Sequence, residues 1–329
     1  MPSTLNRRHF TLLAAAALTA RAQSALTPVS TIEHDHILAD AANQSTTTTL
    51  DQLSAAIAAH AAAFLLTHDA TYAQQAQTLL AQLPTESPTS VLDLLPCAEI
   101  AVALPHLAPH LPPDQLAALY LRLTSIQTFL NTDRSAQIDR DRKDHRASAW
   151  LLLQSAIAHA QPTDDPLGSS ALEACRARFR HPTLRNQITA DGTFPQELAT
   201  ENPFRNTLFN FDLLAGACQL LASPFDDLWS YQLIDEVGLR SVAAWLVPKI
   251  SDPATWPTIS DAAHFHTIPL RRPALLFAGR AYNRPEYVNL FRTLPAPNLS
   301  TLPTDLTSTF PIRQPLLWTT KSPHHLSAP

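Results

Sequence analysis

Glycine is nearly missing: 329 residues contain only 5. So few cannot supply the positive-φ turns of a hairpin-rich fold or the loop that cradles a dinucleotide. Charge is also scarce, at 16% of residues, and a formal net charge of −5 lacks the basic footprint of a nucleic-acid binder. The three cysteines, Cys97, Cys175 and Cys218, show no Cys-x-x-Cys spacing, which argues against a thiolate zinc site. Their apolar or helical contexts leave room for one disulfide at most, or for buried free thiols. β-Branched apolar residues are sparse. What is present is alanine and leucine in helical periodicity, with 28 prolines falling mainly between the apolar stretches, where they start and stop helices. With 45% hydrophobic residues a sizeable core is available, and the composition is that of an all-α protein.

At the N-terminus, Asn6-Arg7-Arg8-His9-Phe10 leads into an apolar run and then Ala20-Arg21-Ala22. This pattern resembles a twin-arginine export signal over residues 1–22, with a run too short to span a bilayer. No later segment is expected to span a membrane, so the mature chain is expected in the periplasm or secreted. Residues 23–49 form a polar N-terminal segment. Its Glu33-His34-Asp35-His36 has ligand-capable side chains but no third ligand at a recognisable spacing, so a surface position is expected and no metal.

Helical periodicity then runs over 50–67, 69–83 with Asp69 as cap, 91–107, 114–130, 147–160, 168–181, 204–221, 225–231, 238–246, 272–282 and 285–294. Arg176, Arg178 and Arg180 are expected on a solvated face. Short connections require antiparallel neighbours, and the lack of a fixed repeat suggests a toroid or an irregular helical array over 50–295. The proline-rich tail, 296–329, is expected to be extended, with Leu316-Leu317-Trp318 docked on the body and disorder beyond Lys321.

One stretch concentrates charge. From Arg140 to Arg146 there are six charged residues and His145, running directly into the apolar helical pattern that contains Trp150. A polar cluster at the start of a buried helix is either a solvated loop or a site held by a rigid element.

Downstream motifs favour the second. His145 and Trp150 are followed by Asn186-Gln187-Ile188, Asp191-Gly192-Thr193-Phe194-Pro195, Glu197-Leu198, Phe209-Asn210-Phe211, Asp227-Leu228-Trp229, Trp256-Pro257 and Ala278-Gly279-Arg280-Ala281-Tyr282. In order and spacing this set resembles the alginate-lyase-like domain of bacterial polysaccharide lyases. The resemblance implies an incomplete α/α toroid acting on an anionic, uronate-containing polysaccharide or oligosaccharide, without a cofactor or metal. A monomer is expected.

Such a lyase removes the proton on C5, α to a carboxylate, and expels the group on O4. The carboxylate must first be neutralised by hydrogen bonding, and a His or Tyr then takes the proton. Against the family's Asn-Asn-His, this chain has Lys143-Asp144-His145, keeping only the histidine. The family's tyrosine before Phe-Asn corresponds by spacing to Asn206, which cannot transfer a proton.

His145 is therefore the candidate general base or carboxylate partner, or else a structural histidine before a helix. Asn186, Gln187, Arg205 and Asn206 are candidates for a carboxylate-binding set, or for helix-end hydrogen bonding. Lys143 and Asp144 stand at the rim as candidate substrate contacts. Glu197 could orient His145, bind sugar hydroxyls, or pair with an arginine. Trp150 and Phe209 are expected in the core, whereas Phe194 and Trp256, in irregular segments, are candidate sugar-stacking faces. Arg271-Arg272 and His264-Phe265-His266 could add a basic patch, and Tyr231 or Tyr282 could supply the missing acid. The competing functions are a glycan-binding toroid without catalysis and, further off, a glycoside hydrolase built on Asp144, Asp191 and Glu197.

Overall fold

Side-chain caps set where most of the early helices begin. The computed structural model describes residues 26–43, 49–84, 89–162, 166–223, 225–257, 265, 267–297, 306 and 308–320. The export-signal residues, His264, His266 and the chain beyond Thr320 lie outside that set. After α1 (Val29–Ile32) and α2 (His34–Ala42), a capping box between Thr49 and Gln52 opens α3 (Leu50–Thr67). His68 takes a left-handed conformation, φ 59°, and Asp69 caps α4 (Ala70–Leu80) by accepting from Thr71 N at 2.9 Å. That two-residue connection folds α4 back along α3, bringing the His60 and Tyr72 rings to 6.1 Å.

Next come α5 (Val91–Leu94), α6 (Cys97–Leu107) and α7 (Pro113–Thr132). The segment expected to be a polar loop before His145 contains α8 (Arg134–Arg140), because Asp133 accepts the amides of Ser135 and Ala136. Asp144 caps α9 (His145–Ala160). The remaining helices are α10 (Pro166–Arg178), α11 (Leu184–Gln187), α12 (Pro195–Leu198), α13 (Pro203–Leu221), α14 (Leu239–Ser251), α15 (Pro273–Ala281), α16 (Pro285–Thr293) and α17 (Pro315–Thr319). No strand forms among the described residues. The short helix expected over 225–231 is a set of turns, where the Asp227 carboxylate takes the Trp229 and Ser230 amides.

The centre is α9. Thirteen of its sixteen residues are buried, because it is apolar all round and packs against α5, α6, α7, α8, α10 and α13. It runs parallel to α13: His145 meets Phe209 at its start, and about two turns further Leu152 faces Gly216. The outer α4 and α7 are likewise parallel, with Gln115 bonded to Gln77 O and Arg122 to Pro84 O. Parallel inner helices joined through returning outer ones make an α/α toroid, as expected.

Two helical stretches, 50–67 and 91–110, are long and apolar enough to cross a membrane by length and composition. This corrects the expectation that no later segment reaches that mark. In this structure α3 packs on α4 and α6, and α6 packs on α9.

The first and last described segments fasten onto this body. Trp318 Nε1 and Arg313 N both donate to Glu99 Oε1, each at 2.8 Å, so the expected docking of Leu316-Leu317-Trp318 is present. Arg272, fully buried, donates to Asp212 at 2.7 Å and to Thr309 O at 2.5 Å. Arg271 pairs with Glu33 at 2.6 Å, both buried. The two arginines therefore form no basic patch, and Glu33 is not a surface residue. Arg176, Arg178 and Arg180 are also not merely solvated: they bond Leu221 O, Asp141 and Asp226 across elements. All three cysteines are buried and free.

Candidate active site

The starts of α9, α12 and α13 converge on one polar network. Asp144 accepts from Arg146 N at 3.1 Å and so sets where α9 begins, which puts His145 on its first turn. Burial works against ionising Asp144, but hydrogen bonds from Arg142 and the Arg146 amide hold its carboxyl below the ordinary carboxylate range. Beside it, Pro195 opens α12 and places Glu197 in the interior with no exposed surface.

Glu197 binds His145 twice. Its Oε2 lies 2.9 Å from His145 Nδ1, and its Oε1 accepts from the His145 amide at 2.5 Å. Asn210, on the second turn of α13, donates to Glu197 Oε1 at 3.1 Å and to Gln187 Oε1 at 2.9 Å. Ser148 donates to Gln187 Oε1 at 3.0 Å. The ring of Phe209 backs His145 at 5.4 Å. Glu197, Gln187, Asn210 and Ser148 are buried, whereas the His145 side chain keeps 18% of its surface exposed. A carboxylate on Nδ1 accepts a hydrogen bond from that nitrogen, which leaves Nε2 as the ring nitrogen free of Glu197. This is the relation by which a buried acid orients a catalytic histidine on unrelated folds. Two amide atoms, Gln187 Nε2 and Asn210 Oδ1, are buried without a protein partner beside the same carboxylate.

Of the expected site residues, His145, Gln187 and Glu197 come together. Asn206 lies next to them: it donates to Thr200 Oγ1 at 3.1 Å, and Thr200 Oγ1 donates to Glu197 O at 2.7 Å. Arg205 is half-buried on the first turn of α13. Lys143 and Asn186 are exposed at the rim, and Asp144 is held by capping and by Arg142 at 2.5 Å.

The expected stacking faces are absent. Phe194 is 1% and Trp256 6% exposed, because both rings fill the core, the second against Phe204 at 4.6 Å and Trp245 at 5.4 Å. Tyr231 lies under Arg180, and Tyr282 packs on Trp229 under Arg240. None of the five tyrosines hydrogen-bonds or ring-stacks with His145, Glu197, Gln187 or Asn210.

Asn210 and Ser148 were assigned no role from sequence. A signal was available, since an asparagine inside the apolar run Phe209-Asn210-Phe211 must find buried partners. A cavity of about 570 Å³ lies elsewhere. It touches Gln219 and Ala222 at the far end of α13, about 20 Å along the helix from Asn206.

The described residues thus form an all-helical toroid in which Glu197, His145, Gln187 and Asn210 share one hydrogen-bonded cluster. A family model described as alginate lyase matches residues 15–256, and the protein belongs to that family. A crystal structure of an alginate lyase from Bacteroides ovatus is similar at a TM-score of 0.59 and 16% identity, over 82% of this chain and 74% of that one, and so supports the fold. No curated protein matches.

Proposed function

We propose that this protein is an exported polysaccharide lyase, guided by the signal at residues 1–22, that cleaves a uronate-containing glycan by β-elimination. The observation that carries the reading is the Glu197–His145 pair: a buried carboxylate at 2.9 Å holds Nδ1 and leaves Nε2 as the basic nitrogen. In this scheme Gln187, Arg205 and Asn206 supply the donors that offset charge on the substrate carboxylate as C5 becomes carbanionic. Lys143 and Asn186 contact the glycan at the rim.

His145 Nε2 removes the C5 proton. The C5–H electron pair forms the C4–C5 double bond, the C4–O4 bond breaks, and O4 leaves with the proton carried by His145. With no tyrosine on His145, one group performs both transfers, so the proton and the leaving group depart from the same face of the sugar. The test is the ultraviolet absorbance of the unsaturated product from alginate, polyglucuronate, heparin or pectin. Activity is expected with at least one, and His145→Ala should lower kcat/KM by roughly 10²–10⁴-fold.

The asparagine at 206 favours a second reading, a toroid that binds the glycan without cleaving it. Binding with no absorbance change on any substrate would select that reading. New reducing ends without absorbance would indicate hydrolysis instead.

A further inference from the structure

Beside the His145 network is a second cavity, of about 120 Å³, walled by Arg140, Asp141, Arg142, Arg178, Thr183 and Asn186. Three guanidinium groups are met by two carboxylates, Asp141 in the wall and Asp144 on Arg142, which leaves an excess of one positive charge. The charges are held rigidly. Arg140 binds Asp141 through Nε at 2.9 Å and Nη2 at 2.7 Å. Arg178 donates to Asp141 at 2.8 Å and to Arg140 O at 2.5 Å, with its guanidinium 5.3 Å from the Trp150 ring centroid. Its Nε is buried without a protein partner. Arg142 is held by Asp144, the cap of α9, at 2.5 and 2.8 Å.

The cavity and the His145 network share walls. Ala147 lines the cavity two residues after His145, about 3 Å further along the axis of α9. Asn186 lines it too, while its neighbour Gln187 bonds Ser148 and Asn210 inside the network. A water needs roughly 10–15 Å³ of such space, so the cavity takes an acidic group and a few waters but no glycan chain.

We propose that this arginine-walled cavity is a separate subsite for the carboxylate of the sugar next to the one presented to His145. The proposal rests on the reading of the protein as acting on an acidic glycan. A planar carboxylate suits the guanidinium donors, and their net positive charge draws it in. The subsite makes the protein select runs of at least two acidic sugars over an isolated one.

The experiment is calorimetric titration of the full-length protein with trisaccharides of mannuronate, guluronate, glucuronate and galacturonate, each beside its carboxyl-reduced counterpart. The acidic form of at least one is expected to bind tenfold or more tighter than the reduced form. Arg140→Gln and Arg178→Gln, each of which removes one positive charge from the wall, should each weaken acidic binding about five- to twentyfold and leave reduced binding unchanged. Equal weakening of both forms, or no weakening, overturns the subsite. Failure of the lyase reading appears separately as absent product absorbance while the charge-selective binding and its loss in the variants persist. If no trisaccharide binds, both are overturned.

Discussion

Glu197 shows how much one side chain can fix. Its carboxylate takes three N–H donors from His145 and Asn210 and has no contact with water. Glu197→Ala leaves those donors unpaired and should cost about 3–5 kcal/mol, read from urea unfolding. Glu197→Gln preserves the shape but not the charge that holds the imidazole. It should lower kcat by roughly a hundredfold or more with little change in KM, whereas a purely structural role would lower stability and leave the kinetics of the folded fraction intact. Asp141 gives a pH signature. Hydrogen bonds from Arg140, with Arg178 adding to them, pull its carboxyl from 3.8 down to about 2. A depressed carboxyl stabilises the fold above its ordinary range, and that contribution is lost as pH falls from about 4 towards 2. Asp141→Asn should therefore flatten part of the fall in Tm across that window, by a small amount because the group is more than half exposed. At this scale the sequence was readable where polar residues recur in motif order, as with His145, Gln187 and Glu197. It misled at Phe194 and Trp256, because an irregular backbone can still carry a buried ring.

Elements were legible where a cap or a proline marks the boundary. Thr49, Asp69 and Pro113 open helices as their chemistry requires, and the all-round apolar pattern after Ala147 correctly marks a core helix. The pattern failed where a local carboxylate decided the outcome. Asp133 nucleates α8 in a stretch that looks like loop, and Asp227 makes turns in a stretch that looks helical. The loop before α12 depends on Gly192, at φ 81°, where an added Cβ would collide with the backbone of Ser241. Gly192→Ala should destabilise by more than about 1 kcal/mol through both the left-handed backbone and the clash, measured by thermal unfolding. It should also lower activity by displacing Glu197.

The whole molecule is a toroid whose first and last described segments are held down by buried charge, and this level is the least readable in the sequence. Arg271-Arg272 gives no sign in sequence that its partners lie at Glu33 and Asp212, because the pairing follows from closure of the fold. Glu99 anchors the C-terminal segment, and burial pushes its carboxyl up despite donors from Arg313 and Trp318. A raised carboxyl favours the neutral form in the folded state, so its contribution weakens as pH rises above 4.5 towards the folded value. Glu99→Gln keeps an acceptor for Trp318 and removes the buried charge. It should raise Tm at neutral pH and flatten the decline above that point, followed by calorimetry across pH.

The central claim is that the Glu197–His145 pair performs β-elimination on a uronate glycan. The most direct test is product absorbance on a panel of uronate polysaccharides with the full-length protein and with His145→Ala at matched folded concentration. The account predicts an unsaturated product from at least one substrate and its loss, by two orders of magnitude or more, in the variant. No absorbance from any substrate, or activity that survives in His145→Ala, would contradict it.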